Sequence, residues 1–440
     1  MSEETPSRAD ADQPDDSPAT GEQLISVKKW RVIGPGLVVA GTGVGAADLV
    51  ATLTAGSNYG YALLWAVVLG VLMKILLVEG AGRFSLASGL TIFQGWRSLG
   101  RWTTWYFGPY IVIWGIVYGA SAMTSAALPV VELIPIDGLD EATYRNIVAA
   151  GTGVLGFLMV WFGRYKTFER IVSSLVLLMM VIVVGISLFA LPNVPAMLAG
   201  LIPQVPDGAV VYVLGVAGGV GGTITLAAYG YWLREKGWAA AGWMKVMRLD
   251  NTMAYVVTGI FVIAVMVMGV ELLYSANLAI STDQSGLVDL ADVLRQRYGD
   301  VIGTVFLVGF WAAAFSSLVG VWNGVSLMFA DFVGTLRGLP SGHPDLRTGG
   351  RYFKWYVAWL TFPPMLLFLL GQPTGLVIAY GALGALFMPF LAITLLGLLN
   401  SSSMPQQWRN GWLGNTLLAV VALLFVWLGV DQLIGAFQQA

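Results

Sequence analysis

From residue 28 to its end the chain is a series of long apolar runs, and this feature limits what it can fold into. A helix that crosses the ~30 Å hydrocarbon core of a bilayer takes about 20 mostly apolar residues. The composition, with 57% hydrophobic and 11% charged residues, is likewise typical of polytopic membrane proteins. We therefore predict an all-α polytopic membrane protein with eleven transmembrane helices. We expect them at about 34–55, 61–82, 105–131, 147–163, 170–191, 209–232, 251–270, 301–330, 353–370, 373–399 and 413–435.

The distribution of lysine and arginine tests this count. Basic residues gather in the cytoplasmic segments of membrane proteins. If the N-terminus is cytoplasmic, only Arg145, Arg295 and Arg297 fall in segments on the outer side of the membrane. One helix too many or too few would invert every later segment. The alternation therefore predicts eleven helices, a cytoplasmic N-terminus and a C-terminus outside.

The first 27 residues differ from the rest of the chain. They are acidic, contain proline and serine, and carry almost no large apolar side chains, so they cannot bury enough surface to fold. They also lack the basic start and apolar centre of a signal peptide. We predict a disordered cytoplasmic tail over residues 1–27. The chain has no cysteine, which excludes disulfides, thiolate metal sites and a cysteine nucleophile.

Two glycine-rich stretches, five spans apart, resemble each other. Span 1 contains VAGTGVGAAD (Val39 to Asp48), and span 6 contains VAGGVGGTIT (Val216 to Thr225). Glycine lets a backbone leave helical geometry, and helices interrupted at equivalent places are the build of LeuT-like secondary transporters. A single cluster of this kind more often permits close helix packing, but two clusters in equivalent places favour interruption.

We therefore predict a LeuT-like transporter domain made of a 5+5 inverted repeat and one extra helix. The domain covers 28–440. Repeat one lies at about 34–191, repeat two at about 209–399 and the extra helix at about 413–435.

Asp48 is a lone acid in an apolar segment. A carboxylate near the bilayer centre costs at least ~2.5–3.5 kcal/mol, so such residues usually face a cavity, an ion or a partner. We expect Asp48 to bind the substrate ion or to couple its transport, and a structural ion pair with Lys74 of span 2 is the alternative. Lys74 lies deep in its span, whereas Glu79 and Arg83 are expected to pair near the interface. The candidate coupling residues are Asp48, Lys74 and Glu79.

Further candidate ligands lie in spans 6 and 8. Thr223 and Thr225 follow the second glycine cluster, and Asn323 lies within span 8. Threonine in a membrane helix often bonds back to its own backbone, and an intramembrane asparagine often links helices. For each of these residues a structural role therefore stays open beside the role as an ion ligand. With Asp48 and Gly45, these residues complete the predicted ion-binding set.

Several stretches resemble the Nramp family of proton-coupled divalent metal transporters. The likeness runs without a gap through GPGLVVAGTGVGAADLVATLTAGSNYGYALLW (Gly34 to Trp65). It continues through RFSLASGLT (Arg83 to Thr91) and weakly through FSSLVGVWNGVSLMFADF (Phe315 to Phe332). The resemblance implies the family's eleven-helix fold with its N-terminus inside, and it implies transport of a divalent metal.

The family's two chemical motifs are absent. Where the family carries Asp-Pro-Gly-Asn in its first helix, this chain reads Gly45, Ala46, Ala47 and Asp48. Where the family carries Met-Pro-His in its sixth helix, the region reads GGTITLAAYGYW, without methionine or histidine. The resemblance therefore implies a divergent member with Asp48 as its metal ligand.

These losses bear on which ion is carried. A site of carboxylate, hydroxyl and carbonyl oxygens suits Mg²⁺, Ca²⁺ or Mn²⁺ better than soft metals, because it lacks a thioether. The single histidine, His343, lies in the loop between spans 8 and 9, so a histidine relay in span 6 is excluded.

The sequence thus predicts a secondary active transporter in the plasma membrane for a divalent cation of the Mg, Mn, Ca or Fe class, with or without proton coupling. Two alternatives stay open: a non-metal substrate such as an anion or small solute, and a membrane sensor that does not transport. We expect no enzymatic activity, no cofactor and neither nucleotide nor nucleic acid as partner, because no phosphate-binding Gly-rich loop or clustered metal site is found. The expected partners are a small ion and the lipid bilayer.

Overall fold

The computed structural model describes residues 34–219, 221–279, 281, 285–369 and 374–439. The predicted tail at 1–27 lies outside this part of the chain. Side chains are described for these residues except at 46–48, 211, 219, 369, 374–382, 385, 431–433 and 435–439.

Helices occur at all eleven predicted places. Spans 1 and 6 are each divided into two half-helices, named here 1a (Pro35–Thr42), 1b (Ala46–Tyr59), 6a (Val210–Gly219) and 6b (Thr225–Glu235). The other nine spans are Leu64–Ser88, Arg101–Leu133, Glu141–Phe162, Tyr165–Phe189, Met244–Met268, Asp300–Arg337, Arg351–Leu369, Thr374–Asn400 and Trp412–Gln439.

Within the described residues, seven helical stretches are long and apolar enough to cross a membrane by length and composition alone. The others fall short for local reasons. Spans 1 and 6 are interrupted, span 9 carries Arg351 and Lys354 at one end, and span 10 is described only in part. The eleven-helix prediction is therefore confirmed at the level of the fold, although single helices vary in length.

Three short α-helices in the described part of the chain connect spans: Ile92–Leu99, Val194–Ala199 and Gly286–Tyr298. The first begins with a capping box, in which the Thr91 hydroxyl accepts from the Gln94 amide and the Gln94 side chain accepts from the Thr91 amide. Capping of this kind satisfies N–H groups that have no partner inside the helix. A π-helical turn, Gly269–Leu273, extends span 7.

Span 7 begins earlier than predicted, at Met244 and not near residue 251. The early start places Asp250 and Asn251 inside the helix, where both side chains are buried. The sequence pattern missed this because the charged stretch from Lys245 to Asp250 breaks the apolar run. The polar first turns nonetheless pack inside the bundle, and Asp250 becomes a contact for another span.

Span 8, the longest helix, passes through the middle of the bundle and packs against spans 1, 3, 4, 5 and 9 and half-helix 6b. Small residues let its neighbours approach closely, as is usual between membrane helices. A Cβ at Gly320 would collide with the Thr42 side chain of half-helix 1a, and one at Gly324 would collide with Trp232 of half-helix 6b. Span 8 thus holds both broken helices in place.

Candidate functional site

Both predicted interruptions are present. Half-helix 1a ends at Thr42 and 1b begins at Ala46, while 6a ends at Gly219 and 6b begins at Thr225. The two breaks use glycine differently. Gly221 and Gly222 have φ values of +77° and +86°, which side-chain-bearing residues rarely adopt. Gly43 keeps an ordinary φ of −88°, so its small size matters for another reason.

That reason is contact between the two breaks. A Cβ at Gly43 would lie 2.2 Å from the carbonyl carbon of Gly221, and a Cβ at Gly222 would lie 2.8 Å from the Cα of Gly43. The backbones of spans 1 and 6 therefore touch where each helix is interrupted. A substituent on Gly43 or Gly222 would push the two breaks apart, whereas one on Gly221 would collide with the Tyr255 ring.

The carbonyls at the end of half-helix 1a are bound by span 8. The Ser317 hydroxyl donates to the Thr42 carbonyl at 3.0 Å, and the Ser316 hydroxyl donates to the Gly41 carbonyl at 3.4 Å. The last carbonyls of a helix have no partner inside it, so outside donors stabilise the break. Ser316 is fully buried and Ser317 is nearly so.

The carbonyls at the break in span 6 are bound by spans 2 and 7. The Lys74 ammonium donates to the Gly222 carbonyl at 2.5 Å, and the Tyr255 hydroxyl donates to the Gly221 carbonyl at 3.2 Å. Lys74 has no exposed surface. A positive charge of the protein itself therefore lies at the point where the helix is interrupted.

Two more side chains surround this ammonium. The Met388 sulfur of span 10 lies 3.9 Å from the Lys74 Nζ, and the Phe425 ring of span 11 has its centroid 5.6 Å from it. A cation over an aromatic face is attracted by the ring quadrupole. The extra helix outside the repeat thus contributes directly to the surroundings of the break.

Some of the predicted site residues gather at the breaks. Gly45 is the N-cap of half-helix 1b, and Asp48 lies in its first turn, although the Asp48 side chain is outside the described part. Thr225 is the first residue of half-helix 6b, 2% exposed, and its hydroxyl has no hydrogen-bond partner among the described residues. The half-buried Thr223 lies within the break in span 6, and its methyl group would lie 4.0 Å from a Cβ on Gly384 of span 10.

Two predicted residues lie elsewhere and have other partners. The Asn323 Oδ1 accepts a 2.8 Å hydrogen bond from the Trp232 indole, so it links span 8 to half-helix 6b. Glu79 forms ion pairs with Arg83 at 3.1 Å and Arg248 at 2.9 Å. The expected pairing of Glu79 with Arg83 is present, and Arg248 adds a partner from span 7.

The sequence reasoning missed Asp250. Its carboxylate accepts from the Gly34 amide at 3.0 Å, the Gly36 amide at 2.7 Å and the Tyr229 hydroxyl at 2.9 Å. The carboxylate thereby caps the N-terminus of half-helix 1a, where unpaired N–H groups favour a negative charge. The Gly-Pro-Gly start of span 1 was the available signal, because a Cβ at Gly36 would lie 2.6 Å from the Asp250 carbonyl oxygen.

The sequence reasoning also missed Met388. Met388 follows neither glycine cluster, so its proximity to Lys74 arises only from the packing of span 10 against span 2. The breaks thus offer a hydroxyl and backbone carbonyls, and one thioether lies beside the Lys74 ammonium. Within the described residues, no group of three or more histidine, aspartate or glutamate side chains could hold a metal ion.

Comparisons with known proteins bear on the family and the fold. The sequence model of the family described as natural resistance-associated macrophage protein-like, Nramp, matches residues 36–435. The divalent metal cation transporter MntH of Klebsiella pneumoniae subsp. pneumoniae is 24% identical over 436 residues, which cover 92% of this chain and 95% of that protein. The protein of the same name from Chromohalobacter salexigens is 26% identical over 321 residues, covering 68% and 71%.

Solved structures show the same fold. A mutant of the Eremococcus coleocola manganese transporter superposes with a TM-score of 0.74 at 16% identity, covering 94% of this chain and 89% of the other. MhsT, solved in complex with L-phenylalanine, gives a TM-score of 0.57 at 14% identity, covering 91% and 98%. The LeuT-like fold is thus shared with a manganese transporter and with a protein solved in complex with an amino acid. Because the family model covers nearly all of the transmembrane part, the chain belongs to the Nramp family.

Proposed function

We propose that this chain is a secondary active transporter that carries a divalent metal cation by alternating access around the contact between the two breaks. The observation that carries the proposal is the meeting of Gly43 with Gly221 and Gly222, since interrupted helices that meet are where LeuT-like transporters bind their substrates. Membership of a family whose relatives are named divalent metal cation transporters supports the choice of substrate.

Four groups are our proposed ligands. They are the Asp48 carboxylate, the Thr225 hydroxyl, the Gly222 carbonyl and the Met388 thioether. The unpartnered, buried Thr225 hydroxyl supports this choice, because a buried polar atom without a partner is costly. Gly45 provides the bend that starts half-helix 1b, and Thr223 lies in the break in span 6.

The Met388 sulfur changes the proposed selectivity. Oxygen ligands suit Mg²⁺, Ca²⁺ and Mn²⁺, whereas a thioether favours softer first-row metals. One thioether among oxygen donors is a mixed set, which suits Mn²⁺ or Fe²⁺ better than Mg²⁺ or Ca²⁺. We therefore place the substrate in the Mn and Fe part of the predicted range.

For coupling, we propose that Asp48 exchanges a proton for the metal. Asp48 lies in the first turn of half-helix 1b, directly after the break in span 1, and this place in the chain supports the proposal. Glu79 is already bound by Arg83 and Arg248, and it lies five positions after Lys74, about 7.5 Å along the helix. Glu79 is therefore placed as a structural partner of these arginines.

We propose the plasma membrane as the location, with residues 1–27 in the cytoplasm and the C-terminus outside. The excess of lysine and arginine in alternate segments supports this orientation. In this arrangement the inverted repeats occupy about 34–191 and 209–399, and span 11 lies outside them.

A non-metal substrate is the second candidate, and Lys74 favours it. Its ammonium donates to the Gly222 carbonyl at the break in span 6, so a small anion or zwitterion that binds there would meet a positive charge. Half-helix N-termini also bind anionic groups. The solved MhsT structure holds an amino acid in the same fold, at a TM-score of 0.57.

Uptake into proteoliposomes tests the proposal. The purified full-length chain is reconstituted, and the influx of Mn²⁺, Fe²⁺, Ca²⁺ and Mg²⁺ is followed with a dye inside the vesicles. We expect Mn²⁺ uptake that Asp48→Asn abolishes while the variant still inserts and melts normally. Absence of uptake for all four cations would refute the metal proposal, and binding without uptake would indicate a sensor.

A further inference from the structure

We propose that the Lys74 ammonium is a tethered cation that competes with the transported ion for the Gly222 carbonyl, and so determines the affinity of the site. The inference rests on the proposed function, because it takes the meeting of the two breaks as the ion site. It assigns Lys74 as a specificity-determining residue and not as a ligand.

Two of the groups beside the ammonium are of a kind that a bound metal would use. They are the Gly222 carbonyl at 2.5 Å and the Met388 thioether at 3.9 Å, and the Phe425 ring lies 5.6 Å away. Lys74 comes from span 2, and each of the other three groups comes from a different span. Four spans therefore converge on this one charge, which has no exposed surface.

The carbonyl of Gly222 is open to such competition because the helix is interrupted there. Half-helix 6a ends three residues before it and 6b begins three residues after it. An ammonium is a compact point charge on a flexible four-carbon stem, so it can bind the carbonyl or withdraw. A divalent ion beside the ammonium would be repelled strongly in this poorly solvated place.

The competition has a direct consequence for binding. Lys74 donates to the Gly222 carbonyl, and a divalent ion must displace the ammonium before it can bind there. Removal of the ammonium frees the carbonyl and the thioether together. We therefore expect a variant without this charge to bind the ion more tightly than the natural protein does.

Calorimetry with Mn²⁺ on the full-length chain in lipid nanodiscs tests this. Lys74→Leu removes the charge and adds no ligand atom, and we expect it to bind Mn²⁺ at least tenfold more tightly. Lys74→Gln removes the charge but keeps an N–H donor for the Gly222 carbonyl, so it serves if the leucine variant does not fold. We expect it to bind more tightly by at least threefold.

Two matched variants serve as controls. Lys74→Arg keeps the positive charge and is expected to bind Mn²⁺ within threefold of the natural chain. Tyr255→Phe removes the neutral donor from the neighbouring Gly221 carbonyl and is expected to change affinity less than twofold. The melting temperature of every variant is measured in the same nanodiscs.

The outcomes separate the inference from the proposed function. If the natural chain binds Mn²⁺ and folded Lys74→Leu and Lys74→Gln bind it equally or more weakly, Lys74 is structural and the inference is wrong, while the metal proposal stands. If Lys74→Leu and Lys74→Gln bind Mn²⁺ and the natural chain does not, the inference is supported and the metal proposal fails for the natural chain. If no protein binds Mn²⁺, both are wrong.

Discussion

Removal of the Asp250 carboxylate is expected to release half-helix 1a. The carboxylate is fully buried and accepts from the Gly34 and Gly36 amides and from Tyr229. In Asp250→Ala the Tyr229 hydroxyl keeps a second acceptor, the Met247 carbonyl at 3.3 Å, so two buried amides lose their partner. Each such loss costs about 1–3 kcal/mol.

The net cost is smaller than the largest sum of the two amide losses, because removing a buried charge recovers part of its desolvation penalty. We therefore expect a loss of about 2–4 kcal/mol. Half-helix 1a has only eight residues and is separated from 1b by the break. The loss therefore lowers the free energy of its local detachment from the bundle and not that of global unfolding. That corresponds to a roughly 30- to 900-fold larger detached population.

A single thiol measures this detachment. The chain has no cysteine, so Val39→Cys in half-helix 1a places one reactive group at a fully buried position. We expect Asp250→Ala to accelerate the maleimide labelling of this cysteine at least tenfold. Tyr229→Phe, which leaves both amide contacts intact, is expected to accelerate it less than threefold. Equal labelling rates with and without Asp250, in folded protein, would show that the carboxylate does not hold the half-helix.

Three further expectations follow from the site. Gly43→Ala should reduce transport more than tenfold, since its Cβ would lie 2.2 Å from the carbonyl carbon of Gly221. Gly151→Ala, whose Cβ would have nothing within 4 Å, should not reduce it, and equal uptake in both variants would refute the contact. Asn323→Leu should lower the free energy of unfolding by about 1–3 kcal/mol, because the Trp232 indole loses its hydrogen-bond acceptor. The Mn²⁺ affinity measured by calorimetry should not change, and a large loss of affinity would show that Asn323 is a ligand. Met388→Leu should weaken Cd²⁺ binding several-fold more than Ca²⁺ binding, and a parallel change for both ions would remove the thioether from the site.

The helices and their interruptions could be predicted because they depend on local sequence. Apolar runs identify spans, and the paired clusters around Gly43 and Gly221 marked both breaks. The role of each glycine was less visible. At Gly221 the backbone angle requires glycine, whereas at Gly43 it is the neighbouring chain that leaves no room for a side chain, and only the fold reveals that neighbour.

Contacts between spans could not be predicted in the same way. Lys74 was expected to matter because of its depth, but its acceptor, the Gly222 carbonyl, is 148 residues away along the chain. Asp250 was missed because it follows a charged stretch that resembles a loop. Met388 was missed because an apolar side chain in an apolar span carries no local signal, and only packing brings its sulfur to the ammonium.

The ammonium of Lys74 also has a consequence for the membrane potential. An ion that crosses the bilayer moves through the whole electric field, which is worth about 2.3 kcal/mol per elementary charge at 100 mV. A charge fixed to span 2 can move only a few ångströms of the ~30 Å core, so it senses roughly a tenth to a fifth of that energy. In the transport cycle proposed above, this charge stays in the protein after the ion has left. We therefore expect the groups around Lys74 to contribute to the voltage dependence of the return step.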